Sequence, residues 1–538
     1  MRNNYTLGLA TAFIAWLAWP PMPYTSILLL IAFIPILLAI ENVLSSDLRK
    51  KGKKIFYLSL FTFSVWNTSC IYWVFNSLNA VMPVWLAFLV SLIPFGLAAL
   101  LMTVCFWLYY RLRLVSGKMT SYIGLVCFWL GYEYLHQTWD LAFPWMNIGN
   151  GFSNFHQIVQ WYEFTGVYGG SLWVWIANIL GFECYLAFKK KAADRKNFGW
   201  SFAIVVIIPI LYSITLYTNY KEAENPSNIV VVQPNVDPYM KFGGLPSSVQ
   251  VQRLIRLSDS VAQVNTEYFI WPETAIPEDT DEANIHTNSD FLQVQSFLKK
   301  YPNGNVLSGI SSYLMYDSAS TETARYHAQS MKYYDSFNAA IQIESSARVQ
   351  FYHKSKLVPG VEQTPFSSAL SFMKPVFAAF GGTTGGYGSQ DEPSVFYSQS
   401  GIGAAPVICY ESIWGEYVSD YVSKGAQFIA IVTNDAWWGN TSGKDQHMLY
   451  AKLRAIETRR WVARSANTGI SGFINQRGDI TKRSKWWRAT ALKEDINLND
   501  ELTYYTKHGD YIAIAASFLS VLFLGFLIWS IVTKRIQR

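Results

Sequence analysis

Outside its apolar segments the chain has a single cysteine. Of five in all, Cys70, Cys105, Cys127 and Cys184 lie in stretches apolar enough to cross a bilayer, and only Cys409 lies in the large polar region. An internal disulfide is therefore excluded in that region, and Cys-x-x-Cys zinc or redox chemistry is excluded throughout the chain. Charge is scarce too: 15% of the 538 residues are charged against 51% hydrophobic, with 21 Trp, which is too apolar for ordinary soluble domains. The seven histidines show no metal-ligand spacing, and His353 and His447 read as structural or exposed. No P-loop, zinc finger or basic helix occurs, so the net charge of +6 does not point to nucleic acid. A Gly-x-Ser-x-Gly elbow is missing as well, which weakens a serine-hydrolase reading.

What is present is a polytopic pattern. Apolar runs fall near Leu7 to Trp19, Tyr24 to Ile40, Ile55 to Phe75, Val84 to Tyr110, Tyr122 to His136, Gly166 to Phe188, Phe198 to Tyr217 and Tyr511 to Thr533. The first covers only ~20 Å at the helical rise, so the first two runs together are compatible with a re-entrant hairpin. Trp16, Trp19 and the Pro20 to Pro23 turn are unlike a small-residue signal cleavage site. Lys and Arg cluster in alternate connections, at Arg49 to Lys54, Arg111 to Lys118, Lys189 to Lys196 and after Lys534. The intervening short loops have none. This asymmetry predicts both termini in the cytoplasm and the segment between the last two runs on the outer side. The expected division is residues 1–218 as a transmembrane domain of about seven helices, 219–510 as the outer catalytic domain, and 511–538 as a last span with a basic tail.

The outer region alternates short β-rich runs with helical or loop segments, which predicts an α/β domain. Strands are expected over Asn228 to Gln233, Tyr268 to Trp271, Asn305 to Ile310, Ala339 to Ile343, Arg348 to His353, Ala404 to Cys409, Gln427 to Thr433 and Gly469 to Asn475. A helix is expected over Asp445 to Ala466. Several strands are followed at once by a reactive group: Glu273, Lys354, Cys409, and Asn434 with Asp435. Ligands of α/β sheets bind beyond strand ends, so a carboxylate, an amine and a thiol have the means to converge. A free thiol is mostly protonated at neutral pH and needs a base or a cation. Glu273 suits the first role, and Lys354 suits the second and the later oxyanion, with the Tyr410 N–H as a further donor. Against this stand plainer readings: Cys409 as a buried structural thiol, Glu273 as a satisfied strand-end carboxylate, Lys354 and Lys356 as solvated surface, and Glu362 as a loop residue.

Trp271-Pro272-Glu273, then Tyr352 to Pro359 with Glu362, then Cys409-Tyr410-Glu411, in that order, resemble the Glu-Lys-Cys triad of the nitrilase superfamily. Eight spans around an outer domain of that kind resemble the apolipoprotein N-acyltransferases. Phe143-Pro144-Trp145, Gln233-Pro234-Asn235, Thr433 to Gly439 and Gln446-His447 followed by Arg454 to Glu457 add to the likeness. The resemblance implies a nitrilase-like α-β-β-α sandwich beside a polytopic α-helical membrane domain. It implies Glu273 as general base, Lys354 as thiolate and oxyanion stabiliser, Cys409 as nucleophile and Glu362 as the carboxylate that positions Lys354. Tyr410, Glu411, Asn434 and Phe242 are implied as substrate-binding or supporting residues. Two departures stand out: Pro359-Gly360-Val361-Glu362 replaces the usual Pro-Phe-Gly-Glu, and Phe242 replaces a tryptophan.

The implied reaction needs no cofactor. It moves an acyl chain from the sn-1 ester of a glycerophospholipid, phosphatidylethanolamine by resemblance, through a Cys409 thioester. The acceptor is the α-amino group of a diacylglyceryl-cysteine at an apolipoprotein N-terminus. The implied setting is a bacterial inner membrane with the catalytic domain in the periplasm and the protein as a monomer. Drawing an acyl chain into water costs about 0.8 kcal/mol per CH₂, so the thiol is expected near the outer leaflet. The apolar segment Phe366 to Phe380 with the glycine run to Gly386 is expected to act as a lid, an ordinary packed helix being the plainer reading. The rival readings are a membrane-anchored nitrilase-type amidase, which would turn over small amides without phospholipid, and a non-catalytic polytopic receptor or transporter. The near absence of ionisable residues in the spans, apart from Glu41, Glu133 and Glu183, argues against an ion-coupled pathway.

Overall fold

A computed structural model describes residues 2–80, 82–363, 365–366 and 386–536. The expected lid therefore lies, for residues 367–385, outside the described residues. Contacts divide the chain into two compact units. One joins Met1–Asn79, Pro83–Asn219 and His508–Arg538; the other joins Ala80–Met82 to Tyr220–Lys507.

The first unit is helical, and helices cover all eight apolar runs. Among the described residues five are long and apolar enough to cross a membrane: Thr25–Leu44, Val84–Arg113, Tyr162–Lys189, Arg195–Asn219 and Tyr511–Thr533. The other three fall short of eight equal spans for simple reasons. Arg2–Leu17 has only 16 residues, Lys51–Ile71 opens on three lysines, and Lys118–Thr138 carries Glu133 and ends on His-Gln-Thr. At the core of the unit lies a knot of rings from Trp19, Phe33, Phe63, Trp66, Phe106, Trp129 and Trp175, all buried. Phe33 and Trp175 stack at 4.9 Å, and Trp129 meets Trp175 at the same separation. Such pairs contribute about 0.5–1.5 kcal/mol each beyond area burial.

Within Thr25–Leu44 the helix breaks at Phe33, because Pro35 has no N–H to donate and crowds the preceding turn. Hydrocarbon offers no water for the freed groups, so neighbouring side chains must serve them. Asn178 Oδ1 accepts from Phe33 N at 2.7 Å while its Nδ2 donates to Leu29 O at 2.8 Å. Thr11 Oγ1 accepts from Ile36 N at 3.0 Å.

The second unit is an α-β-β-α sandwich. Its strands are β1 (Pro226–Gln233), β2 (Thr266–Ile270), β3 (Ile276–Asp281), β4 (Asn305–Tyr316), β5 (Arg325–His327), β6 (Lys332–Glu344), β7 (Val349–His353), β8 (Phe396–Tyr397), β9 (Gly403–Ile408), β10 (Phe428–Thr433), β11 (Val462–Ala466), β12 (Gly472–Ile474), β13 (Ile480–Arg483) and β14 (Thr490–Asn497). One sheet runs β14-β1-β2-β4-β6-β5, with β3 beside β4 and β7 beside β6; the other runs β13-β12-β11-β10-β9-β8. Alternate residues of β1, β2 and β4 point to helices Ser247–Asp259 and Ser289–Leu298, as Val230, Val232, Phe269, Val306 and Ile310 do. The opposite face meets the other sheet, where Tyr268 packs edge-on against Phe428 at 5.3 Å and Ser465 Oγ donates to Val232 O at 2.6 Å. Strands covered on both faces read as apolar runs, as do Ile229 to Val232 within β1, Ala404 to Ile408 of β9 and Phe428 to Val432 of β10.

The strands expected from sequence are all present, but the helix expected over Asp445 to Ala466 is not. It spans Ser442–Thr458 and stops at Arg459, whose φ of 51° is left-handed. Residues Val462–Ala466 then form β11 between β10 and β12, at the middle of the second sheet.

Candidate active site

Each reactive residue sits just past the C-terminal end of a strand. Glu273 follows β2, Lys354 follows β7, Cys409 follows β9 and Asn434 follows β10. Two of these corners are bent through left-handed backbone at residues with a side chain: Thr274 has φ 46° and Cys409 has φ 48°. Such positions cost roughly 1–3 kcal/mol and persist only where the surroundings enforce them. Strand β4 enforces the first. Gly309 N donates to Pro272 O at 3.1 Å, and a Cβ at Gly309 would stand 2.6 Å from Glu273 Cα and 2.4 Å from Thr274 N.

Lys354, buried, reaches Glu362 Oε1 at 2.9 Å and Glu273 Oε1 at 3.3 Å. Asn338 Nδ2 donates to the same two oxygens, at 2.8 Å to Glu273 and 2.7 Å to Glu362. Glu362 is fixed from its other side, since its Oε2 accepts from Val358 N at 2.8 Å. Burial by itself would depress the Lys354 ammonium; Glu362 and Glu273 outweigh it and hold it well above its ordinary value. Lys354 is thus a permanent cation among carboxylates.

Cys409 belongs to this cluster electrostatically. Burial, then the Glu273 charge, push its thiol well above the usual value, and Lys354 and a hydrogen bond with Thr433 act in the opposite direction. The resting group is the neutral thiol. Beneath it, Cys409 O accepts from Ser412 Oγ at 2.7 Å, and His447 Nε2 lies 3.2 Å from the same oxygen. His447 Nδ1 faces Asp435 Oδ1 at 3.0 Å and Arg464 at 2.9 Å. Burial lowers His447 below the usual imidazole value; Asp435, despite its burial, is held down to about 2 by Arg464 and His447. His447, wedged between Asp435, Arg464 and the Cys409 carbonyl, thus braces the cysteine corner.

The remaining nominated residues are placed as follows. Tyr410 is buried with its ring 4.7 Å from Trp414. Glu411 is buried and accepts from Ile408 N at 2.8 Å, Ser355 N at 2.8 Å and Tyr352 OH at 2.5 Å, tying the end of β9 to the loop after β7. Its carboxyl is raised by burial against those donors. Asn434 is buried and accepts from Asn467 Nδ2 at 3.4 Å. Phe242 is 52% exposed, beside the fully enclosed Lys241. His353 stacks on Phe337 at 3.7 Å and meets Glu282 Oε1 at 2.7 Å. Among the described residues no group of three or more His, Cys, Asp or Glu side chains is arranged to hold a metal ion.

Two further residues hold the site together, Asn338 and Lys241. Asn338 interrupts the apolar stretch Phe337 to Ile341 of β6, and a polar residue within a strand buried on both faces was the available sign. Lys241 has no such sign.

The profile described as the apolipoprotein N-acyltransferase N-terminal domain matches residues 11–180, and that of the carbon-nitrogen hydrolases matches residues 245–504. The apolipoprotein N-acyltransferase of Chlorobaculum tepidum is 32% identical over 394 residues, covering 71% of this chain and 72% of that one. The enzyme of the same name from Geobacter metallireducens is 24% identical, over 72% of this chain and 70% of that one. Among solved structures, Saccharomyces cerevisiae Nit3, of the nitrilase superfamily, aligns at 13% identity over 52% of this chain and 92% of its own length, with a TM-score of 0.37.

Proposed function

The chain belongs to the apolipoprotein N-acyltransferase family, and on that premise we propose that it N-acylates apolipoproteins through a Cys409 thioester formed by a Glu273-Lys354-Cys409 triad. Glu273 takes the thiol proton as Cys409 attacks the sn-1 ester carbonyl of a glycerophospholipid. Lys354 and the Tyr410 N–H stabilise the oxyanion of the tetrahedral intermediate. The intermediate collapses to the thioester, and the leaving alkoxide takes the proton from Glu273 and departs as a lysophospholipid. The α-amino group of a diacylglyceryl-cysteine then attacks the thioester; Glu273 accepts its proton and returns it to the cysteine sulfur. Acyl transfer is thus ping-pong, one donor leaving before the acceptor reacts.

The observation that carries this reading is the Lys354 ammonium within 3.3 Å of two carboxylates and electrostatically coupled to the only cysteine of its unit. Glu362 and Asn338 position Lys354 and Glu273, and Tyr410, Glu411, Asn434 and Phe242 support the substrate side. The protein is a membrane protein; the distribution of Lys and Arg supports a catalytic domain on the outer side, and the family resemblance supports an inner-membrane setting with that side the periplasm. Phosphatidylethanolamine as donor and a monomeric enzyme complete the proposal. Intact-mass measurement after incubation with phosphatidylethanolamine vesicles tests it. The expected result is a mass gain of one acyl chain on the wild type, absent in Cys409→Ala and discharged by a diacylglyceryl-cysteine peptide. No adduct, or release of free fatty acid alone, refutes it.

A further inference from the structure

We propose that Lys241 is a positioning residue for the general base: its enclosed side chain fixes the Glu273–Thr274 corner and ties that corner to the loop carrying Phe242. This deepens the acyl-transfer reading and rests on it. Lys241 ends the short helix Pro238–Lys241, between β1 and helix Ser247–Asp259. It is 2% exposed, although lysine ordinarily keeps its ammonium in water. Its Nζ donates to Glu273 O at 2.7 Å and to Thr274 Oγ1 at 2.6 Å. Among the described residues no carboxylate pairs with it directly.

The partners explain the enclosure. Thr274 is β-branched and left-handed, the residue type least suited to that conformation. Strand β4 presses the corner from one side through Gly309; Lys241 holds it from the other by the backbone of the base and the hydroxyl of the strained residue. Burial lowers the ammonium to about 7, against the opposing pull of Glu273. A group so destabilised by its surroundings is retained at a site where its hydrogen bonds are needed. The loop is anchored in turn, because Gln250 Nε2 donates to Lys241 O at 2.9 Å and to Leu245 O at 3.0 Å. The next residue, Phe242, projects its ring outward, 5.8 Å from the same ammonium. One side chain thus links an exposed aromatic to the backbone of Glu273.

Misplacing a base by a fraction of an ångström slows proton transfer without weakening substrate binding. In the full-length enzyme, Lys241→Met is expected to lower kcat for Cys409 acylation about tenfold to a hundredfold with KM for phosphatidylethanolamine unchanged. Thr274→Val, which keeps the shape and removes one partner, is expected to give a smaller loss in kcat alone. Thr274→Gly relieves the strained position, so adding it to Lys241→Met is expected to restore part of the rate. Glu273→Gln, measured beside them, separates the two readings: if it remains active the triad itself is wrong, whatever Lys241 does. If Glu273→Gln is inactive while folded Lys241→Met and Thr274→Val both match the wild type, or lose only in KM, the positioning role is overturned. Should Lys241→Met fail to yield monodisperse protein, Thr274→Val decides the matter alone.

Discussion

At the residue scale the central fact is a thiol kept protonated next to a cation. Burial and Glu273 raise Cys409, and Lys354 opposes them. Its alkylation by iodoacetamide should therefore still be climbing above pH about 8.5, where an ordinary thiol is half ionised. The carboxylate has two effects of opposite sign, and a substitution pulls them apart. Glu273→Gln removes the negative charge that disfavours the thiolate, so alkylation at pH 8 should quicken, by about threefold to tenfold for up to one pKa unit of relief. The same change removes the base, so phospholipid-dependent acylation should fall about 10²–10⁴-fold. Lys354→Met should slow both. A Glu273→Gln protein that alkylates more slowly than wild type would show that the carboxylate does not act on this sulfur. The nucleophile, base and cation were each visible in the sequence as the residue that ends a strand. Asn338 and Lys241 were not, because what matters in them is the identity of the oxygens they reach, and those come from residues 24 to 65 positions away.

At the scale of elements, strands proved more legible than helices. Unbroken apolar runs such as Ala404 to Ile408 and Phe428 to Val432 announce strands covered on both faces. The segment after Asp445 misled because no glycine or proline interrupts it between Asp445 and Ala466, and nothing local marks Arg459 as left-handed. What turns Val462–Ala466 into a strand is the vacancy between β10 and β12, a tertiary demand. Strand β4 shows the reverse relation, in which an element shapes a reactive corner. Its Gly309 is the one residue that lets β4 approach the backbone of Glu273 so closely, since any Cβ there lies within 2.6 Å of Glu273 Cα. Gly309→Ala should push the corner away at an overpacking cost of about 1–3 kcal/mol. The expected signature is a lowered thermal midpoint together with a loss of acylation larger than the loss of folded protein, measured on the same detergent-purified sample. Activity that merely tracks the folded fraction would mean that the base tolerates the shift.

At the scale of the whole molecule, the chain encloses an enzyme between spans, so sidedness is a functional matter. The basic clusters at Arg49 to Lys54, Arg111 to Lys118 and Lys189 to Lys196 each straddle the junction between consecutive helices of the first unit. Translocating such a cluster is opposed during insertion, and the rule holds best for short loops near the membrane. The long segment 220–507 departs from this: it contains many charges of both signs, yet long domains cross largely regardless of charge. Its side is set by the parity of the helices before it, and a re-entrant first pair leaves that parity unchanged. A label placed in each compartment tests the result. With the native cysteines replaced, Ser260→Cys in the exposed loop after helix Ser247–Asp259 should react with a membrane-impermeant maleimide in intact spheroplasts. Lys190→Cys, at an exposed position in a basic connection, should react only after lysis. The opposite pattern would put the thiol on the cytoplasmic side, where a diacylglyceryl-cysteine exposed on the outer surface of the membrane could not reach it, and the proposed acyl acceptor would have to be abandoned.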